Sequence, residues 1–197
     1  MKNRRNVSNK TVAILLALVL AIGCAVGGTL AWLISETDPV VNTFTYGDIN
    51  ISLEETTEKY KITPGVSINK DPKVTVTAGS EACWLFVKVE EKNWPDLKET
   101  DGTTRKVNYA IADDWTALDS QTGVYYREVS AQKNAQEFPV LEGDKVTVSE
   151  DLTKTEVDRL KEKSPTLTFT AYAVQKDGIK DADAAWKQIA DSTTTKP

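Results

Sequence analysis

Apolar and polar residues alternate with a period of two along much of the chain, and this pattern restricts the fold more than any other feature of the sequence. Three runs show it most clearly, with these residues on their apolar faces: Val74, Val76 and Ala78; Cys83, Leu85, Val87 and Val89; Leu167, Phe169, Ala171 and Ala173. Alternation of this kind is typical of β-strands that bury one face. The sequence therefore predicts a fold built mainly from β-strands.

Shorter candidate strands lie between and beyond these runs. They are predicted at residues 60–62, 66–68, 107–111, 124–129 and 145–148. Turn residues such as Pro64-Gly65 and Asp101-Gly102 separate them. Many short strands at such spacing favour an antiparallel β-sandwich or jelly roll. We expect a jelly-roll-like β-sandwich over residues 49–190.

One or two short helices are expected among the strands. Thr153 and Glu156 have the spacing of a capping box, in which two side chains satisfy backbone donors at the start of a helix. A second helix is predicted to begin near Asp181 and to carry Trp186 on its apolar face. Residues 191–197 are mostly small and polar, so we expect them to form a flexible tail.

The apolar pattern changes phase just before the predicted sandwich. Phe44 and Tyr46 fall on even positions, whereas Ile49 and Ile51 fall on odd positions. Successive side chains of a strand point to opposite faces, so one regular strand would place these two sets on different faces. A bulge or bend at Gly47-Asp48 would restore a single apolar face.

Residues 1–31 have the layout of a secretory signal, which we expect to form a helix ahead of the sandwich. The chain opens with basic residues and then carries no charge from residue 11 to residue 34. A basic segment, an apolar segment and a cleavage site between small residues define such a signal. Thr29 and Ala31 supply the small side chains, and cleavage after Ala31 would leave Trp32 as the first residue.

The same segment allows two other interpretations. An apolar run of about 20 residues is long enough to span a bilayer, so residues 1–31 would also serve as an uncleaved membrane anchor. Cys24 suggests a lipoprotein, although Ala21 stands where a leucine is usual, three positions before a lipidated cysteine. Because the basic end stays in the cytoplasm, the chain beyond the signal is expected to be secreted or displayed at the cell surface.

Loss of residues 1–31 changes the charge and the cysteine content of the chain. Of 24 basic and 29 acidic residues, four basic ones lie in this segment, which leaves 20 basic residues and a formal net charge of −9. This charge argues against nucleic acid as a partner and against membrane contact outside the N-terminal segment. Cys83 is then the only cysteine, which excludes an intrachain disulfide.

The absence of histidine from the sequence excludes several kinds of active site. Histidine-containing zinc motifs and catalytic pairs of histidine with serine or cysteine are impossible. Asp177, Asp181 and Asp183 lie close together, but their spacing lacks the pattern of a calcium loop, and Asp181 is better placed to cap a helix. We therefore expect no enzyme activity, no cofactor and no metal.

Several segments spread along the chain form a recognisable set. They are residues 27–32 (GGTLAW), 42–51 (NTFTYGDINI), 64–74 (PGVSINKDPKV), 123–126 (GVYY) and 171–178 (AYAVQKDG), together with Trp115. This set resembles the TasA/camelysin family of secreted biofilm-matrix and surface proteins. The resemblance implies a dedicated, SipW-type signal peptidase and a jelly-roll domain at the cell surface or in an extracellular matrix. Camelysin members have been described as metalloproteases, for which this histidine-free sequence offers no ligand set.

The resemblance also implies a mode of assembly, because the best-known members form fibres by donor-strand exchange. In such an exchange, an extended segment of one subunit adds a strand to an open sheet edge of the next. Residues 32–48 would be the donor, with Val40, Val41, Phe44 and Tyr46 as anchors. The alternative is that this segment forms the first strand of its own domain.

Three kinds of function remain open at this point. The first is a structural subunit that self-associates into fibres or joins other proteins of the matrix or cell surface. The second is a monomeric adhesive or ligand-binding module, for which Trp94, Trp115, Tyr125 and Tyr126 are the candidate surface aromatics. The third, a secreted hydrolase, would need a site made of carboxylates alone.

Overall fold

The structure, a computed structural model, describes residues 44–46, 49–56 and 61–194. For residues 44–46 and 192–194 the description is limited to the backbone. In this part of the chain, no helix is long and apolar enough to cross a lipid bilayer.

Some of the predicted sites lie outside the described ranges. They are the signal segment with its cleavage residues Thr29, Ala31 and Trp32, and the donor anchors Val40 and Val41. The anchors Phe44 and Tyr46 lie within them.

Eleven strands and two α-helices make up the regular structure of the described residues. The strands are β1 (Phe44–Tyr46), β2 (Ile51–Glu54), β3 (Ile68–Asn69), β4 (Lys73–Val76), β5 (Cys83–Lys92), β6 (Val107–Asn108), β7 (Thr116–Ala117), β8 (Val124–Val129), β9 (Gln136–Pro139), β10 (Lys145–Val148) and β11 (Thr166–Gln175). The helices are α1 (Lys154–Lys163) and α2 (Ala182–Thr194). A single 3-10 turn, Glu142–Asp144, precedes β10.

The strands form three sheets. The largest has five strands in the order β1-β11-β5-β8-β7, and the smaller two have the orders β3-β10-β6 and β2-β4-β9. The ladders between named strands are antiparallel except that of β1 with β11, which is parallel. β11 also contacts β2, so the large sheet and a small sheet face each other. The mainly β, antiparallel sandwich with two helices is confirmed, and its jelly-roll connectivity stays a prediction.

β5 and β11 form the centre of the large sheet. The apolar residues opposite each other on its inner face are Leu85 and Ala173, Val87 and Ala171, and Val89 and Phe169. All of these side chains are buried. They are the alternating residues that the sequence places on one face, so the period-two pattern identifies the core side of both strands.

Helix α2 covers the outer face of the same sheet. Trp84 and Phe86 of β5 and Val174 of β11 pack in one cluster with Ala185 and Ile189 of the helix. Because this part of β5 is buried on both faces, its residues form a continuous apolar run rather than an alternating one.

Helix α1 begins with the predicted capping box. The Thr153 hydroxyl accepts a hydrogen bond from the backbone N–H of Glu156, whose carboxylate accepts one from the backbone N–H of Thr153. After the helix, Ser164 adopts a left-handed conformation with a φ of 46°. The Asn93 amide donates to the carbonyl oxygen of Lys163 over 2.8 Å, which ties this helix end to the residue after β5.

Several predicted strand boundaries are wrong. The strand expected at residues 66–68 is only β3, and the one expected at 107–111 is only β6. Lys61 and Ile62 lie in no strand. The sequence does not predict β7, because a strand of two residues is too short to show a period. It does not predict β9 either, since this strand is only half-buried at alternate residues and ends in a proline.

The phase change between Tyr46 and Ile49 falls between two strands of different sheets, and the predicted bulge or bend at Gly47-Asp48 lies outside the described residues. β1 belongs to the five-stranded sheet, whereas β2 belongs to the sheet β2-β4-β9. The two apolar sets therefore lie in different sheets rather than in one bent strand. Partner strands distant in the sequence decide this arrangement, so the local pattern does not reveal it.

Helix α2 extends farther than the sequence predicts. Its backbone remains helical to Thr194, so residues 191–194, expected to begin a flexible tail, form the last turn. Serine and threonine have only modest helix propensity. A helix that is already held by the packing of Ala185 and Ile189 nevertheless needs no new nucleus to add a turn.

Candidate functional site at the edge of strand β11

Strand β1 lies at one edge of the five-stranded sheet, against β11. The register places Phe44 opposite Tyr172, Thr45 opposite Ala173 and Tyr46 opposite Val174. Two of the four predicted donor anchors, Phe44 and Tyr46, thus lie in a strand that completes a sheet edge. In this single chain, the sheet that they complete is their own.

β11 offers a longer edge than β1 covers. It spans Thr166–Gln175, ten residues, of which three are paired with β1. Among the described residues, no other strand lies on this side of β11. The edge at residues 166–171 is therefore a place where an extended segment can add to the ladder.

The pairing of β1 with β11 is short and parallel. Parallel ladders are slightly less stable per residue than antiparallel ones. Each hydrogen bond contributes only about 0.5–1.5 kcal/mol net. A ladder of this length is expected to open while the rest of the sheet stays folded.

Helix α2 places an aromatic ring beside this edge. The ring of Trp186 lies 5.4 Å from that of Tyr172 at an interplanar angle of 87°, and 5.4 Å from that of Phe86 at 52°. Tyr172 and Trp186 are half-buried, and Val174 is buried in the same cluster. We name Tyr172, Val174 and Trp186 the aromatic shelf.

The aromatic shelf is uncharged at neutral pH, and it borders a polar stretch of the same face. Burial raises the pKa of the Tyr172 phenol above its ordinary value, although Lys88 opposes this effect. Farther along the strand, Thr170 lies opposite Lys88 and Thr168 lies opposite Glu90. Lys88 and Glu90 form an ion pair of 2.8 Å. The outer face of β11 is thus polar at residues 168 and 170 and aromatic or aliphatic at residues 172 and 174.

Other sheet edges carry features that protect them from further pairing. β7, at the opposite edge of the large sheet, has two residues, both exposed. β9 ends at Pro139, which has no backbone N–H, and its Glu137 forms an exposed ion pair with Lys73. Short strands, prolines and charges are common protection for edges.

The aromatic residues considered for an adhesive surface are largely occupied within the domain. Trp115 is buried, and its indole N–H donates to a backbone carbonyl over 2.8 Å. Trp94 is half-buried and packs edge-on against a tyrosine ring 5.7 Å away. Tyr125 and Tyr126 are half-buried. These four residues therefore do not form an exposed aromatic patch.

The other chemically reactive groups have structural roles. Burial raises the pKa of the Cys83 thiol to about 11, so the nucleophilic thiolate is scarce at neutral pH. Asp181 caps α2, as predicted, by accepting a hydrogen bond of 2.9 Å from the backbone N–H of Ala184. Asp183 accepts a hydrogen bond from the Ser120 hydroxyl. In the described part of the chain, no three His, Cys, Asp or Glu side chains are grouped so that they could hold a metal ion.

A buried ion pair lies on the inner side of β11. Lys70 Nζ is 2.7 Å from Glu55 Oε1, and the two side chains are 9% and 12% exposed. The same ammonium lies 5.3 Å from the centroid of the Phe169 ring. Desolvation lowers the pKa of Lys70, and the Glu55 carboxylate opposes this shift. The pair links the residue after β2 to the inner face of β11.

Comparisons with known proteins give no match. No protein-family model matches the chain. No curated protein and no solved structure shows significant similarity to it. The edge of β11 and the residues around it are therefore the basis for a functional proposal.

The sequence alone does not identify Tyr172 and Trp186 as functional residues. Tyr172 occupies an outward position of an alternating strand, and Trp186 fits the apolar face of a short helix. Only the return of α2 over the outer face of the sheet brings the two rings together. The sequence feature that could have drawn attention to Trp186 is its position as a lone tryptophan in an alanine-rich helix.

Proposed function

We propose that this protein is an exported structural subunit of the cell surface or biofilm matrix that polymerises by donor-strand exchange. In this exchange β1 leaves the edge of its own β11, and residues 32–48 of one copy add a strand to β11 of the next copy. The observation that carries the proposal is the parallel seating of β1 on that edge.

The register and the length of β11 support this exchange. If the observed register continues, residues 40–46 of a donor lie opposite residues 168–174. The strand begins at Thr166, so all of these positions fall within it. The edge of β11 is thus long enough for a donor that contains all four anchors, Val40, Val41, Phe44 and Tyr46.

The energetics of exchange also favour the proposal. A segment that moves from its own sheet to an identical sheet on a neighbour keeps the same kinds of contact, as in domain swapping. Only four residues of sequence separate β1 from β2, and short connections favour swapping. Because the donor and the acceptor are different surfaces, the contact is head-to-tail and propagates rather than closes.

The described surface favours a main-chain contact over an apolar patch. Among the described large hydrophobic residues, only Val66 is exposed, at 53%. Subunits that associate through side chains alone usually bury a larger apolar patch. A strand added to a sheet edge is stabilised by backbone hydrogen bonds and needs no such patch.

The N-terminal sequence supports export and links it to assembly. Residues 1–31 have the basic, apolar and small-residue segments of a signal, and the donor begins directly after them, at Trp32. Until a signal peptidase cuts, the donor is tethered to the membrane. Cleavage would therefore release the segment that polymerises.

Electron microscopy and sedimentation test the proposal with two matched chains, one beginning at Trp32 and one beginning at Ile49. We expect filaments from the longer chain and monomers from the shorter one, with circular dichroism as the check that both are folded. Filaments from both chains would exclude residues 32–48 as the donor. Monomers from both chains across concentration and pH would exclude homopolymeric fibres.

A proline substitution gives a second test within the full exported chain. Thr45→Pro removes a backbone N–H from the ladder segment, whereas Thr37→Pro lies outside residues 40–46. We expect the first variant to lose filaments and the second to keep them. Equal filament formation by both variants would contradict strand addition.

A further inference from the structure

We propose that the aromatic shelf selects the donor strand by requiring aromatic side chains at two alternate positions, those of Phe44 and Tyr46 in a second copy. This inference rests on the proposed strand exchange and names the residues that give it register and specificity. The occupant is the N-terminal segment of another copy of this chain.

The register on β11 directs alternate donor residues to the aromatic shelf. Residues paired directly across a sheet share a face. Tyr172 and Val174 lie on the outer face, under helix α2, and their partners in the ladder are positions 44 and 46. A donor in this register therefore presents residues 44 and 46 to the aromatic shelf.

The outer face of β11 changes its chemistry along the strand. Thr168 and Thr170 lie opposite Glu90 and Lys88, so the outer face of β11 is polar there and becomes aromatic or aliphatic at Tyr172 and Val174. In the continued register, the donor follows this order from residue 42 onward, with polar Asn42 opposite Thr170 and the aromatic Phe44 and Tyr46 opposite Tyr172 and Val174, whereas Val40 falls opposite Thr168.

The inner face matches in the same register. Position 41 of the donor, a valine, falls opposite the buried Phe169, and the threonines at 43 and 45 fall opposite Ala171 and Ala173. A slip of one residue would send the aromatic side chains of the donor to the inner face and the threonines to the shelf. Of these two registers, only the observed one satisfies both faces.

The rings of the aromatic shelf have a geometry that favours a further aromatic side chain. Trp186 and Tyr172 meet edge-on at 5.4 Å, and both are half-buried. Aromatic rings pack favourably edge-to-face at such separations, and the gain exceeds that from the buried area alone. A donor aromatic at position 44 adds a ring to a pair that already has this geometry.

Peptide capture by the full exported chain, beginning at Trp32, tests the inference. Three labelled peptides cover residues 36–48: the native one, one with Phe44→Leu and Tyr46→Leu, and one in which residues 43 and 44, and residues 45 and 46, exchange places. The third has the native composition with its aromatic residues on the other face. Every peptide competes with the same resident β1, so the ratios of their half-saturating concentrations report selectivity.

We expect the leucine peptide and the exchanged peptide to need about tenfold more peptide for half-saturation than the native one. In the chain with Trp186→Leu, the ratio of the half-saturating concentrations of the leucine peptide and the native peptide should fall towards one. In the chain with Trp186→Phe, most of this difference between the two peptides should remain. A purely structural role of Trp186 would weaken the capture of all three peptides equally and leave the ratio unchanged.

Two results would overturn the inference, and they differ in what they imply for the proposed function. Capture of all three peptides with equal affinity would exclude the aromatic shelf as a selector while strand exchange stands. Failure to capture the native peptide at all would exclude both. If Trp186→Leu does not fold, the peptide ratios on the unmodified chain still show whether aromatic residues at positions 44 and 46 are selected. Tyr172→Leu then replaces Trp186→Leu as the test of whether the aromatic shelf selects them.

Discussion

The Cζ atom of Arg127 lies 3.9 Å from the centroid of the Phe138 ring. Arg127 belongs to β8 in the five-stranded sheet, and Phe138 belongs to β9 in the sheet β2-β4-β9. The ring centroid of Trp115 lies 5.6 Å from the same guanidinium, and Asp114 forms an ion pair with it at 3.4 Å. One cation therefore joins two sheets between two aromatic rings.

Substitution of either partner in this contact should destabilise the fold. A partly desolvated cation–π contact contributes about 0.5–2 kcal/mol. We expect Arg127→Gln and Phe138→Leu each to lower the free energy of unfolding by about 1–2 kcal/mol in urea titrations. The double variant should lose less than the sum of both.

A matched control separates this contact from surface charge effects. Lys73→Gln removes the exposed ion pair with Glu137, the neighbour of Phe138 in β9. Exposed ion pairs contribute only about 0–1 kcal/mol to the free energy of unfolding. Strictly additive losses in the Arg127 and Phe138 cycle would show that the two side chains do not interact.

Gly123→Ala should be more harmful than other glycine substitutions in turns. Gly123 has a φ of +76°, and a Cβ there would lie 2.7 Å from the carbonyl oxygen of Val89. Gly79 has a φ of +80° but nothing within 4 Å of its Cβ position. We expect Gly79→Ala to cost about 1–2 kcal/mol from backbone strain alone, and Gly123→Ala to cost at least about 1 kcal/mol more. Equal melting temperatures of the two variants would contradict the clash.

The capping box of α1 predicts a pH dependence of stability. Hydrogen bonds from the backbone N–H and the hydroxyl of Thr153, together with Lys106 Nζ at 3.1 Å, lower the pKa of Glu156 below its ordinary value. A carboxyl whose pKa is depressed in the folded state stabilises it above the unfolded pKa, near 4.5, and loses this effect as the pH falls through the folded value.

Urea titrations of the native chain and of Glu156→Gln between pH 7 and pH 3 test this prediction. We expect the native chain to be more stable by about 0.3–1 kcal/mol at pH 7 and the difference to shrink below pH 4.5. Thr153→Ala should lower stability by about 1 kcal/mol at pH 7. A difference between the native chain and Glu156→Gln that does not change with pH would exclude the carboxylate as its source.

Cys83 should react with thiol reagents only when the domain opens. Its side chain is buried, and burial raises its pKa from 9.0 to about 11. At pH 8 we expect no labelling of the folded chain that begins at Trp32, which lacks Cys24, within minutes, and complete labelling in urea. Because the folded state keeps the proton that the unfolded state loses above pH 9, stability should fall as the pH rises from 9 to 11. Rapid labelling of the folded chain would show that the thiol is accessible.

Local chemistry makes much of this structure predictable from the sequence. The alternating residues of β4, β5 and β11, the strands β8 and β10, and the capping box at Thr153 all agree with the sequence-based prediction. These features depend on neighbours within a few residues, because the period of a strand and the cap of a helix are local properties. The role of Asp181 as a cap is predictable for the same reason.

The candidate site was predictable only in part. The segment with Phe44 and Tyr46 is recognisable from the sequence as an extended strand. Its acceptor is not, because β11 lies more than a hundred residues away in the sequence and the pairing depends on backbone groups that every residue carries. The aromatic shelf was missed because α2 brings Trp186 onto Tyr172 from a separate element.

The sequence by itself determined the long strands β5 and β11, the start of both helices, which faces of the two strands enter the core, and which catalytic chemistries the lack of histidine excludes. Only the tertiary structure decided that β1 and β2 join different sheets, that α2 covers the outer face of the large sheet, and that Arg127 lies between two aromatic rings. The physical reason is range: periodicity and capping are fixed by adjacent residues, whereas sheet order and ring contacts depend on which distant surfaces bury each other best.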